Sequence, residues 1–558
     1  MGRINSRVVF VTTSPRTPAK MIPEISLLVR FFSDKKWNVY TQRDFMQILS
    51  NENFFDGEGK KDPSFSARDR INRAPKSLGF VTLSPTIKLT DAGEALLTSK
   101  RTDEIFLRQL LKFQVPSPYH QPSDKAAKFN VKPYLEILRL VRTLGTLKFD
   151  ELQIFGLQLT DWHIFDEIVA KINNFRVALA ENKGSYRVFK EQYLHRELLT
   201  VYSQRIAEND IKTRESKTKT LDKFLSTQAS NMRDYADACF RYLHATGLVN
   251  VSHVGKSLSI VSERVDDVDY ILANVDRDPC FVDDEKSYIA YLGDRRLPQL
   301  LTDNRENLIS KLSTLFPEQV FDANADVEVL KDLLEDLTDS RKQSAIDAQI
   351  HEIKNYKLYD DIQLIFEQII HKSLYDTPLM LEWNTWRAMT MLDGGDIRAN
   401  LKFDDFGKPL STAQGNMSDI VCDYGDFLVS VEVTMSSGQR QFETEGEPVS
   451  RHLGALKKAS GKPCYCLFIA PKISPSSVAN FFTLHKLDIS FYGGAANIVP
   501  LPLNIFRKMV EDSYRAGYVP QPEKVRSFFE YAKETASVHI NEVSWYEAIK
   551  SKALQWLV

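Results

Sequence analysis

Two carboxylates, Asp419 and Glu432, lie within the stretch Asp419-Ile-Val-Cys-Asp-Tyr-Gly-Asp-Phe-Leu-Val-Ser-Val-Glu-Val-Thr434. Tyr424-Gly-Asp426 reads as a turn between two strands, so a tight hairpin brings the start of one strand beside the end of the other. Alternation puts Leu428, Ser430, Glu432 and Thr434 on one face, and Val429, Val431 and Val433 on the opposite one. A glutamate facing away from a valine stripe, with an aspartate across the hairpin, presents hard oxygen ligands suited to Mg²⁺. The same spacing also suits an acidic hairpin at the solvent surface. Further acceptors follow in Glu443-Thr-Glu-Gly-Glu-Pro-Val-Ser-Arg-His452, where Pro448 predicts a loop leading into the next element. Upstream, Leu381-Glu-Trp-Asn-Thr-Trp-Arg387 begins a predicted helix that sets Glu382 beside two tryptophans.

These residues need a frame. The apolar run Cys464-Tyr-Cys-Leu-Phe-Ile-Ala470 predicts a third strand, with shorter strands at 488–492 and 497–501. Helices are predicted near 474–486, 503–515 and 521–535, which completes an α/β pattern. Cys464 and Cys466 share one side of their strand and read as buried small hydrophobes. With Cys239, Cys280 and Cys422 they make five scattered cysteines, neither a disulfide framework nor paired zinc knuckles. The chain shows neither a P-loop nor a Gly-x-Gly-x-x-Gly fingerprint, which argues against nucleotide-driven chemistry.

At 558 residues the chain is long enough for several domains, and its net charge of −2 conceals an asymmetry. Residues 1–250 hold 39 Lys and Arg against 28 Asp and Glu, a net of +11, while 251–558 hold 33 against 46, a net of −13. A basic half joined to an acidic one suits a polyanion reader attached to a different activity, although uneven solvated surface fits as well. In the basic half, helical spacing over 24–50 precedes a strand, a Ser-Pro turn, a second strand and a helix capped by Thr90 or Asp91 across 79–97. The pattern recurs as a helix over 230–246 and two strands around a Gly-Lys turn over 247–261. Both read as winged-helix-like modules for DNA, a form that elsewhere also mediates protein contacts.

Arg16 and Lys20 lie in a Pro-punctuated loop, and Arg68, Arg70, Arg73 and Lys76 fall within nine positions, with Asp69 as an ion-pair organiser. Arginine reads guanine bidentately, whereas lysine mostly holds phosphate. Lys212–Lys219 reads as a cation-rich loop, phosphate-contacting or merely solvated. From about 276 to 325 the chain reads as acidic and irregular. Helical spacing then begins at Asp326, through Leu330 and Leu334, and recurs at Leu358, Ile362, Ile365 and Ile369. The expected layout is a first winged-helix-like module at 1–130, a second at 131–275, an acidic and helical connector at 276–350, and an enzymatic domain at 351–558. No run of about 18 apolar residues exists, and the N-terminus is too short in apolar residues for a signal peptide, so a cytoplasmic bacterial protein with no membrane partner is expected.

An Asp followed by Glu-x-(Lys or variant) on adjacent strands of an α/β core resembles the PD-(D/E)XK nuclease motif. The fuller set Gly415-Asn-Met-Ser-Asp-Ile-Val421, Val431-Glu-Val-Thr434, Glu445-Gly-Glu-Pro-Val-Ser-Arg-His452 and Tyr465-Cys-Leu-Phe-Ile-Ala-Pro471 resembles the AlwI family of type IIS restriction endonucleases, which includes nicking enzymes. The resemblance extends to Ser14-Pro-Arg16, Phe65-Ser-Ala-Arg-Asp-Arg70, Leu107-Arg-Gln-Leu-Leu-Lys-Phe-Gln114 and Arg233-Asp-Tyr-Ala-Asp237, which adds Arg233 to the DNA-binding candidates. It implies Asp419 and Glu432 as the motif acids, Mg²⁺ held by Asp419, Glu432 and the Val433 carbonyl, and catalytic positions at Glu445, His452 and Glu382. Ser418 replaces the motif proline and Thr434 its lysine. Glu445 or a second metal then orients the attacking water, with Glu447 as the alternative to Glu445, and His452 touches phosphate or moves a proton.

The expected fold is a multidomain α+β and α/β chain, with winged-helix-like recognition modules, a helical connector and a C-terminal PD-(D/E)XK-type nuclease domain. The expected activity is cleavage outside a short asymmetric duplex DNA site, GGATC-like or GAGTC-like. Cutting both strands calls for a transient homodimer or a small partner subunit; alone, the chain nicks. A companion adenine methyltransferase follows from the family alone. The rivals are a winged-helix DNA-binding regulator and a non-specific repair nuclease.

Overall fold

The computed structural model describes residues 2–4, 6–52, 55, 62–122, 128–213, 219–392, 395–412, 417–517 and 521–558. The core of the Lys212–Lys219 loop (214–218), and Gly415 and Asn416 of the motif string, lie outside the described residues. The chain divides into two compact units on either side of Leu337 and Thr338, within helix Val327–Lys354. No helix among the described residues is long and apolar enough to cross a membrane.

The first unit is mostly helical. Helices Met21–Phe32, Val39–Leu49 and Pro63–Ile71 precede a short antiparallel hairpin, Val81–Thr82 with Lys88–Leu89, and helix Asp91–Thr98. The cap of that helix is Thr90, whose hydroxyl accepts from the Gly93 N–H at 3.0 Å. Helix Leu221–His244 leads into strands Val249–Ser252 and Ser257–Ile260, which Thr146–Lys148 extends into a three-stranded sheet. The segment expected to be irregular instead holds helices Glu285–Gly293 and Arg305–Leu315. They are short and polar, but Tyr288, Leu292, Leu308 and Leu312 recur every four residues within each helix and are buried. Side-chain caps from Asp284 and Asn304 start them.

The second unit carries the carboxylates. It begins with helices α1 (Tyr359–Ile370) and α2 (Thr377–Leu392), then strand β1 (Asp396–Ala399) and a hairpin of β2 (Leu401–Phe403) and β3 (Pro409–Thr412). Next come β4 (Ile420–Asp423), β5 (Leu428–Val433), helix α3 (Gln439–Ser460), β6 (Cys464–Ala470), α4 (Pro475–Lys486) and β7 (Ile498–Pro502). Helices α5 (Leu503–Ala516), α6 (Pro522–Val538) and α7 (Glu542–Ala553) follow. The main sheet has the order β7-β6-β5-β4-β1. β4 is antiparallel to β5 and β1, whereas β5, β6 and β7 run parallel, joined by helical crossovers. The parallel strands read as near-continuous apolar runs because both faces are covered, and all seven residues of β6 are buried. Cys464 and Cys466 are among them, and all five cysteines are free thiols.

Three local expectations fail. The Glu443–His452 segment is not a loop: α3 runs through Pro448. An interior proline costs a helix about 3 kcal/mol, and the apolar stripe of Val449, Leu453 and Leu456 offsets it by packing on the core. The expected strand at 488–492 is a short 3₁₀ turn, Ser490–Tyr492, followed by Gly493 and Gly494 at φ of 68° and 97°. Both glycines take the left-handed backbone that ends an extended run. The helix expected to begin at Leu381 starts earlier, at Thr377.

Candidate active site

The β4–β5 register pairs Ile420 with Val431, so Asp419 and Glu432, one step further, face each other at one edge of the sheet. The Val433 N–H donates to Asp419 Oδ2 at 2.8 Å, which bends the aspartate across the strand pair. The Asn400 N–H, just past β1, donates to the Asp419 carbonyl at 2.8 Å and fixes that backbone from the other side. Glu432 is only 6 % exposed, while Asp419 keeps partial access to solvent.

Helix α3 adds the other two groups. Glu445 and His452 are two turns apart on α3, hence on one face. His452 Nδ1 lies 3.0 Å from Glu432 Oε1. Glu445 Oε1 accepts from Thr434 Oγ1 at 2.8 Å and from Thr444 Oγ1 at 3.3 Å. Glu447 instead sits exposed, with Arg451 Nε at 3.2 Å. Glu382 stands half-buried on α2, which packs against both β4 and β5. Thr434, expected in place of the motif lysine, is the hydroxyl that holds Glu445, and Ser418 supplies a hydrogen bond to Glu432. Sequence reasoning saw both only as departures from a pattern.

The electrostatics are those of a cluster short of positive charge. Burial and then repulsion from Glu432 hold the Asp419 carboxyl well above its ordinary range. Burial likewise raises Glu432, against the Ser418 hydrogen bond, with further repulsion from Glu445. Glu445 is raised by burial despite its threonine donors. Among the described residues no three His, Cys, Asp or Glu side chains converge as a preformed metal cage. Two crowded carboxylates nevertheless fit a hard divalent cation, because Mg²⁺ is held by one or two carboxylates and keeps much of its water. Protonation is the other way to relieve the same repulsion.

The cationic residues of the first unit have varied partners. Arg70 pairs with the buried Glu24, and Arg16 Nε lies 3.1 Å from Asp237 Oδ2. Arg73 bonds Asp69 at 2.6 Å and the Thr13 hydroxyl at 2.9 Å, so Asp69 does organise an arginine. Arg68 is exposed over the Phe65 ring, and Arg233 is exposed. Lys76 packs over the Tyr119 ring at 4.2 Å, its pKa lowered by burial, and Lys20 is half-buried.

Among solved structures, the small subunit of the heterodimeric restriction endonuclease BspD6I is 25% identical, covering 36% of this chain and 95% of its own at a TM-score of 0.29. The BpuJ1 endonuclease binding domain, solved with modified DNA, is 14% identical over 51% of this chain and 96% of its own, TM-score 0.35. The restriction endonuclease FokI is 12% identical over 85% and 84%, TM-score 0.24. No curated protein matches. The family comparison is the informative one: residues 76–509 match the AlwI restriction endonuclease family. The chain is a site-specific DNA nuclease with a mixed α/β fold. It belongs to the AlwI restriction endonuclease family, which sets the regulator reading aside.

Proposed function

We propose that this type II restriction enzyme is of type IIS: it reads a short asymmetric duplex site, GGATC-like or GAGTC-like, and hydrolyses phosphodiester bonds outside it with Mg²⁺. The observation that carries the reading is the opposition of Asp419 and Glu432 across β4 and β5, with Glu445 and His452 brought to them by α3. The short hairpin after helix Pro63–Ile71 and the sheet after helix Leu221–His244 support two winged-helix-like readers at 1–130 and 131–275. Residues 276–350 then serve as connector and 351–558 as the nuclease domain of PD-(D/E)XK type.

Asp419, Glu432 and the Val433 carbonyl would hold Mg²⁺, which when bound neutralises phosphate charge and acidifies water. Glu445, oriented by Thr434, accepts the proton of the attacking water, and His452 steadies Glu432 through Nδ1. Glu382, on the helix α2 that packs against β4 and β5, is the remaining catalytic position of this reading. Arg68, Arg233 and Lys76 contact DNA directly, and Lys20 does so from beside the buried Glu24. Arg16, Arg70 and Arg73 reach it only by sharing or exchanging their present partners.

A second reading rests on the same cluster. One such site per chain acts on one strand, so the chain either nicks or recruits a second copy or a small partner subunit. Duplexes containing each candidate site, labelled on either strand and incubated with Mg²⁺, separate these outcomes. Cleavage at a fixed offset on one strand or both supports the reading, and product strands ending at random positions overturn it.

A further inference from the structure

Of the strands that leave the main sheet on the side where Asp419 and Glu432 stand, three do so next to those carboxylates or one strand away. β1 does so beside Asp419, since the Asn400 N–H bonds the Asp419 carbonyl. β5 does so just after Glu432, and β6 beside it, since the Thr434 N–H donates to the Ile469 carbonyl at 3.1 Å. A cation follows each departure: Lys402 after β1, Arg440 one residue into α3 after β5, and Lys472 after β6. All three side chains are exposed, and among the described residues none has a hydrogen-bond or ion-pair partner. Partial desolvation alone lowers the Lys402 ammonium, with no acid opposing it. Away from this edge Arg398 on the sheet is engaged with Asp396, and beside the sheet Lys462 is engaged with Asp423 at 3.4 Å and Lys457 of α3 with the Ala495 carbonyl at 2.6 Å.

The placement of two of them is fixed from within. Gln441, fully buried next to Arg440, donates through Nε2 to the Ser436 carbonyl at 2.9 Å and to the Lys472 carbonyl at 3.0 Å. Its Oε1 accepts from the Ser474 N–H at 2.8 Å. One amide therefore ties the segment bearing Arg440 to the segment bearing Lys472.

A cluster of carboxylates repels phosphate, so a duplex can approach this edge only where cations offset that repulsion. We propose that Lys402, Arg440 and Lys472 form a backbone clamp around the carboxylate edge, holding the sugar–phosphate chain of the strand to be cut, with Gln441 as its positioning residue. The proposal rests on the reading of Asp419 and Glu432 as the cutting site.

The test uses the full chain with Lys402→Ala, Arg440→Ala and Lys472→Ala, singly and together. The charge-retaining Lys402→Arg, Arg440→Lys and Lys472→Arg are measured alongside. Duplex affinity is followed against salt, and single-turnover cleavage is followed with Mg²⁺. Each alanine should lower the slope of log affinity against log salt by about 0.9, whatever the flanking sequence, and the charge-retaining variants should keep it. The triple variant should also cut at least about tenfold more slowly at physiological salt. Unchanged slopes in the triple variant, or equal losses in the charge-retaining ones, would overturn the clamp. A wild-type chain that binds duplex but never cuts it contradicts the cutting-site reading instead, and its binding slopes still decide the clamp.

Discussion

Burial and the facing Glu432 disfavour the charged form of Asp419, and that has a thermodynamic consequence. A carboxyl group whose folded pKa is raised binds more protons folded than unfolded. Its stabilising effect is full below the ordinary values of 3.8 and 4.5, and is lost as pH rises toward the raised values of Asp419 and Glu432. Near neutral pH, without divalent cations, Asp419→Asn should therefore melt above wild type, by about 2–4 °C for each kcal/mol relieved. The gap should close toward pH values of about 4. The amide oxygen introduced by Asp419→Asn would still accept the Val433 N–H, so the change removes charge and keeps the bond. Thermal melts in chelator across pH check this, and a variant less stable than wild type at every pH contradicts it. The same scale decides between two glutamates. Glu445→Gln should lower single-turnover cleavage by about 10²-fold or more, whereas Glu447→Gln, which weakens an ion pair at an exposed glutamate, should stay within about 2-fold of wild type. Equal losses in both would refute the assignment.

At the scale of elements, the strands were the easiest to read. Valine alternation over 428–434 and the apolar run at 464–470 leave little choice of period, and β6 has the predicted bounds. Strand β1 escaped because Asp-Ile-Arg-Ala offers one buried side chain, Ile397, and owes its pairing to β4. Helix α3 escaped for a stronger reason. A proline is a local signal against helix, and the packing that overrides it is distributed over several turns. The cost is therefore still present in the folded protein. Pro448→Ala should restore an intrahelical hydrogen bond and stabilise the chain by about 1–3 kcal/mol, leaving Glu445 and His452 on the same face. Calorimetry reads the gain, and a lower melting temperature would show that Pro448 is required by its surroundings.

Over the whole molecule, the near-zero net charge hides opposite halves, but neither half is free charge. In the acidic half Asp303 pairs with Arg108 at 2.7 Å and Asp361 with Arg387 at 2.6 Å. In the basic half Glu24, Asp69 and Asp237 already hold Arg70, Arg73 and Arg16. Composition therefore points to the half proposed to meet DNA without naming the residues that would do so. The central claim is that the reader in the first unit delivers DNA to a cutter built on Asp419 and Glu432 in the second. It is tested most directly by digesting a mapped plasmid with Mg²⁺, using wild type beside Asp419→Asn and Glu432→Gln at concentrations where all three bind DNA. Discrete fragments from wild type, absent from both variants, are the predicted result. Wild-type fragments from either variant would contradict it.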